Sequence, residues 1–141
     1  MDDKTKIELN KYISQYQEIQ KNIDMIQTQK NMLLSNINNI DFSIKSINTL
    51  SNNNNDELID LMIPIGSDCF INSKVKRLDS KILVNIGSGI AILKSDSDTI
   101  KYLNDKKESF EKVISDINNT LEKMSSNLYS IEYKINELNN K

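Results

Sequence analysis

The sequence predicts an α+β fold: a long antiparallel two-helix coiled coil with two β-hairpins, four strands in all, inserted between the helices. Three observations predict it. All three glycines and the single proline of the 141 residues fall between Pro64 and Gly89, so neither type interrupts residues 1–63 or 90–141. Each of those flanks carries an apolar seam whose steps alternate strictly between three and four residues, the signature of a heptad repeat. The two seams also match. Laid antiparallel, their partners' residue numbers add to 147 at every position, from Leu9 with Leu138 to Ile47 with Ile100.

The first helix, expected over residues 1–50, presents Leu9, Tyr12, Tyr16, Ile19, Ile23, Ile26, Lys30, Leu33, Ile37, Ile40, Ile44 and Ile47. The last, expected over 97–141, presents Ile100, Leu103, Lys107, Phe110, Ile114, Ile117, Leu121, Met124, Leu128, Ile131, Ile135 and Leu138. An antiparallel pair sets a positions of one helix against d positions of the other. Lys30 then faces Ile117 and Lys107 faces Ile40, so the two seam lysines do not repel each other. Their aliphatic stems are expected to pack while the ammonium groups reach water; the alternative is that they set register or flexibility, as a polar a residue can. Each seam spans 38 residue steps, or about 57 Å at 1.5 Å per residue, which predicts a long arm with both termini at one end.

Residues 58–95 break the heptad order and are rich in β-branched residues. Leu61–Ile65, Cys69–Val75, Lys81–Ile86 and Gly89–Lys94 read as strands. Gly66-Ser67-Asp68 and Gly87-Ser88-Gly89 read as the turns that join them, with glycines available where positive φ is required. Lys76–Ser80 links the two hairpins. Ile82, Val84 and Ile86 are expected on one face of their strand, with Lys81, Leu83 and Asn85 on the other. Pro64 suits an edge position because it has no N–H for a ladder. Two such hairpins have too little core to stand alone, and their edges invite pairing with another chain. Oligomerisation through the β region is therefore expected.

Composition narrows the function classes. A net charge of -2 offers no basic field for a phosphate backbone. The absence of histidine, with Cys69 as the single cysteine, removes histidine triads, histidine-ligated metals, four-cysteine zinc sites and any intramolecular disulfide. Cys69 reads as a small buried strand residue. The start Met1-Asp2-Asp3-Lys4 does not read as a secretion signal, and no apolar run approaches the roughly 20 residues of a membrane span. The turn at Gly87-Ser88-Gly89 lacks the GxxxxGK[ST] pattern of a phosphate loop. Asp60, Asp68 and Asp79 sit in or beside turns, where capping is their ordinary role. No enzyme activity, cofactor or metal is expected.

Between the matched arms, Ile63-Pro64-Ile65-Gly66 resembles the hydrophobic-Pro-hydrophobic-Gly segment of prefoldins. Ile82-Leu83-Val84-Asn85-Ile86-Gly87-Ser88-Gly89-Ile90-Ala91 resembles their apolar-strand, Gly-x-Gly, apolar-strand segment. The resemblance covers nearly the whole chain, and four strands resemble the alpha class of prefoldin subunits, beta-class subunits having one hairpin. Asn, Ser and Gln occupy many helix-flank positions where Glu and Lys are usual in the family.

The resemblance implies a cytoplasmic, ATP-independent molecular chaperone subunit. It would assemble with prefoldin beta subunits into an alpha2-beta4 hexamer, hold unfolded polypeptides and deliver them to a group II chaperonin. Apolar residues near the expected arm tips form the candidate client-binding surface: Ile7, Leu9, Tyr12, Ile13, Tyr16, Tyr129, Ile131, Tyr133, Ile135 and Leu138. Met25 and Met32 offer soft contacts along the arm, while Leu34, Phe42, Tyr102 and Val113 are expected to pack toward the β region. The candidate oligomerisation residues are Leu61, Ile63, Ile65, Phe70, Ile71, Ile82, Val84, Ile86, Ile90 and Ile92. Two alternatives stay open, a structural coiled-coil tether and an alpha-like subunit that forms homo-oligomers or filaments.

Overall fold

A computed structural model of the chain describes residues 3–52, 58–76 and 81–140. Its elements follow in the order α1 (Asp3–Ser51), β1 (Leu58–Gly66), β2 (Cys69–Lys76), β3 (Lys81–Gly87), β4 (Ile90–Ser95) and α2 (Asp96–Asn139). The linker expected at Lys76–Ser80 lies, from residue 77 onward, outside the described residues. The chain divides into two compact units, one of residues 1–37 with 108–141 and one of residues 38–107.

In the first unit α1 and α2 run antiparallel, and their seam residues are the ones withdrawn from solvent. From Leu9 to Ile37 and from Phe110 to Leu138 every seam position is buried or half-buried, and Ile131 is 7% exposed. Most flanking positions are exposed, as a two-helix pair with a single narrow interface requires. The Lys134 ammonium lies 5.3 Å from the centre of the Tyr12 ring across the pair. Their numbers add to 146, within one residue of the register that the seams dictate.

In the second unit two further contacts report the same register. Lys107 Nζ donates to Asp41 Oδ1 at 2.6 Å, and the Ser51 hydroxyl donates to Asp96 Oδ2 at 2.6 Å. These numbers add to 148 and 147. Lys107 is thus the seam lysine whose stem packs and whose ammonium leaves the seam, to an aspartate of the facing helix. The start of α2 is capped locally: Ser95 Oγ accepts from the Asp98 backbone N–H at 3.1 Å and donates to Asp98 Oδ2 at 2.7 Å. Ser95 is thus the N-cap residue of α2, its hydroxyl held by the Asp98 carboxylate, and Asp96 and Asp98 place negative charge on the positive end of the helix dipole.

The four strands form two separate two-stranded antiparallel sheets, β1 with β2 and β3 with β4. Both hairpins turn by the same device. Register slips by one residue between Pro64 and Gly66, and again between Asn85 and Gly87, so Ile65 and Ile86 are the extra residues of two bulges. Gly66 (φ 110) and Gly87 (φ 103) follow, then two central residues at positive φ: Ser67 and Asp68 in one turn, Ser88 and Gly89 in the other. Two positive φ values match the twist of the strands they join. Asn85 Oδ1 accepts from the Gly87 N–H at 2.9 Å and holds the second bulge closed.

The hairpins differ in how they pack. Val84 is buried beneath β3, near Ile47 of α1 and Thr99 of α2, both of them buried. Its neighbours Ile82 and Ile92 are half-buried, while Leu83 and its cross-strand partner Leu93 are exposed on the other face. The expected alternation holds through Asn85 and ends at the bulge, where Ile86 is exposed. In β1 and β2 no described side chain is buried; Leu61 and Ile59 are half-buried.

Candidate functional surfaces

The second unit carries its apolar surface on the strands. Of the ten residues expected to join subunits, Ile63, Ile65, Phe70, Ile71, Ile86 and Ile90 are exposed, Leu61, Ile82 and Ile92 are half-buried, and Val84 is buried within its own chain. Leu58, Met62, Leu83 and Leu93 are equally exposed strand residues that the motif-centred reading passed over. Strand alternation held the signal. Leu58 and Met62 share a face with Phe70 through the register of β1 and β2, and Leu83 lies opposite Leu93. Ile63 pairs directly with Ile71. Each hairpin therefore exposes apolar side chains on both faces, interspersed with polar ones such as the Asp60–Lys74 ion pair beside Met62.

Two expectations for this unit need correction. Cys69 is exposed rather than buried. It is the first residue after the Ser67-Asp68 turn, where the strand has no neighbour to cover it, and its Sγ sits 3.5 Å from the Ser67 carbonyl oxygen. Phe42 does not pack away but stands 72% exposed on α1. Tyr102 behaves as expected: it is half-buried, with the Lys94 ammonium 5.7 Å from its ring centre. Leu34 and Val113, which belong to the first unit, are exposed.

In the first unit the expected client-binding residues fall into two sets. Leu9, Tyr12, Tyr16, Ile131, Ile135 and Leu138 lie in the seam and are wholly or partly covered by the opposite helix. Ile7, Ile13, Tyr129 and Tyr133 lie off it and face solvent, Tyr129 at 74% exposed. Tyr129 and Tyr133, one helical turn apart, share one side of α2. A shallow groove of about 290 Å³ flanks the seam between Tyr12, Gln15 and Ile19 of α1 and Asn127, Ile131 and Lys134 of α2. Met25 and Met32 are also exposed on α1.

Titratable chemistry is sparse. Glu108 and Lys112 form an i,i+4 ion pair at 2.7 Å on α2. The hydrogen bond and charge of Lys112 lower the Glu108 pKa, and Glu108 raises that of Lys112 by the same two effects. Both are surface groups. Among the described residues no group of three or more cysteine, aspartate or glutamate side chains lies close enough to hold a metal ion. No described helix is long and apolar enough to cross a membrane.

Paired seams of equal length, with two hairpins between them, match a known architecture. The prefoldin subunit family model matches residues 4–141. The chain belongs to the prefoldin family. A prefoldin alpha subunit of Methanococcoides burtonii is 30% identical over 119 residues, 84% of each chain. Those of Methanosarcina mazei and Saccharolobus solfataricus are 25% and 29% identical, over 89% and 94% of this chain and 88% of each relative. The fold is similar to that of a filamentous prefoldin from Methanocaldococcus jannaschii, with a TM-score of 0.69 at 16% identity, over 89% of this chain and 98% of that one. This prefoldin is thus similar throughout to alpha subunits, and its two hairpins agree with that class. Family membership makes it a chaperone-type subunit that assembles with other prefoldin subunits.

Proposed function

We propose that this prefoldin alpha subunit captures unfolded polypeptides through apolar side chains at the N-terminal end of α1 and the C-terminal end of α2. In this reading it works in the cytoplasm, without ATP and without catalysis of its own, within a hexamer of two alpha and four beta subunits, and it passes its clients to a group II chaperonin. The observation that carries the reading is the exposure of Ile7, Ile13, Tyr129 and Tyr133 beside a seam that is otherwise covered. Unfolded chains expose apolar segments of no fixed sequence, so their receptor needs accessible apolar surface that tolerates many shapes. Tyrosines contribute broad contact area with few rotatable bonds, and helix ends fray readily enough to turn seam residues outward.

The test is removal of residues 1–13 and 131–141, with the partner subunits trimmed in parallel. The trimmed complex should keep its subunit count and lose most of its ability to suppress aggregation of a chemically unfolded test protein. Equal protection by trimmed and intact complexes would refute the site. A second reading, self-assembly into homo-oligomers or filaments, is favoured by hairpins that expose apolar side chains on both faces. It predicts a high native mass for the chain purified alone, whereas the hexamer reading predicts that the full mass requires a beta subunit.

A further inference from the structure

The outer side of α1 in the second unit carries a feature that neither the seam nor the client surface uses. Phe42 projects between two depressions. One, of about 270 Å³, runs from Phe42 past Ser46 and Leu50 to Leu61 of β1; the other, of about 470 Å³, runs from Phe42 past Ser46 to Ile82 and Val84 of β3. α1 walls both; the larger is closed by Ile82–Asn85 of β3 and by Thr99 and Leu103 of α2, and the smaller meets β1 at Leu61. The hydroxyls on that wall are turned inward: Ser43, Ser46 and Thr49 donate to the carbonyl oxygens of Asn39, Phe42 and Lys45, at 2.8, 2.9 and 2.9 Å. The wall therefore presents small side chains with their donors engaged, and Lys45 is the one charged side chain along either depression. A Phe ring left in water beside two such hollows marks a surface for association.

We infer that Phe42 and the depressions beside it form a socket for a β-hairpin of a neighbouring prefoldin subunit. This extends the subunit interface from the strands onto the helix. The inference rests on the reading that the hairpins join subunits. The occupant follows from continuity: strand residues line both depressions, the exposed Leu83 in the larger and the half-buried Leu61 in the smaller. A hairpin pairing with the edge of β1 or β3 would bring alternate apolar side chains over them. An extended hairpin with an apolar face fits these mainly apolar hollows, because its backbone groups are satisfied by its own ladder.

The experiment uses the full chain co-purified with a single-hairpin prefoldin subunit and follows complex mass on dilution. Phe42→Ala should weaken assembly about ten- to a hundredfold with helix content unchanged, since the ring is exposed and alanine favours a helix. Ser46→Trp, at the residue common to both depressions, should weaken it comparably by filling them. Met62→Asp, on the strand face opposite Leu61, is the reference. If Met62→Asp dissociates the complex while Phe42→Ala and Ser46→Trp assemble like the parent, the socket is refuted and the hairpin interface stands. If none of the three affects assembly, the hairpin interface fails as well. Normal assembly of Phe42→Ala with reduced protection of an unfolded test protein would make Phe42 a client contact and overturn the inference.

Discussion

Replacing Lys107 with leucine should stabilise the helix pair although it removes an ion pair at 2.6 Å. Two effects compete. The Lys107 and Asp41 side chains keep 29% and 48% of their exposure, so water screens the pair; partly exposed pairs contribute about 0.5–1 kcal/mol. Asp41 left alone stays solvated and carries no large desolvation cost. Against that loss, leucine at an a position opposite the buried Ile40 restores a continuous seam. Complete burial of such a side chain is worth about 1.5–3 kcal/mol, and the aliphatic stem of lysine already supplies part of it. The net gain should be about 0.5–1 kcal/mol, a rise in Tm of about 1–4 °C. Thermal melts of the purified chain by far-UV circular dichroism measure it. Asp41→Asn should lower Tm slightly in the parent, less at high salt, and have no effect in the Lys107→Leu background, where its partner is gone. A fall in Tm on Lys107→Leu would refute the reasoning. It would mean that the interhelical ion pair outweighs seam packing and is the device that fixes register.

Exchanging Ser67-Asp68 for Asn-Gly should stabilise the first hairpin by about 1 kcal/mol, because two non-glycine residues now hold φ 47 and 57; slower amide exchange in β1 and β2 is the readout. Ser95→Ala should cost about 1 kcal/mol by removing the N-cap hydroxyl that accepts from the Asp98 N–H and donates to its carboxylate, and amide exchange should quicken at Asp98 before it does further along the helix. The Glu108 carboxyl should titrate below, and the Lys112 ammonium above, their ordinary ranges by NMR. Lys112→Ala should return Glu108 to its usual range. The depressed Glu108 pKa means that its small contribution is present above the unfolded carboxylate pKa and disappears as pH falls through the folded one. The raised Lys112 pKa gives the opposite case: its contribution is full below the unfolded lysine pKa and is lost as pH rises through the folded value.

Heptad spacing alone located the helices, their antiparallel register and the seam. That pattern is one-dimensional and local: a residue three or four positions from the last seam member must face the same way. The observed burial of the seam from Leu9 to Leu138 follows from that geometry. Strands and turns were legible for the same reason, through glycine and proline placement, although the bulges at Ile65 and Ile86 were not, because one extra residue leaves no mark in composition. Tertiary structure decided what periodicity cannot reach. Val84 and Leu83 are adjacent apolar residues of one strand, and only docking on Ile47 and Thr99 determines that Val84 is covered and Leu83 is not. Lys107 and Asp41 become partners only when the helices are side by side. Phe42, on the side of α1 away from the seam, reads in the sequence as one more apolar residue. Its meaning comes from two strands 19 and 40 residues further along the chain, at Leu61 and Ile82, that fold back to leave a hollow on either side of it.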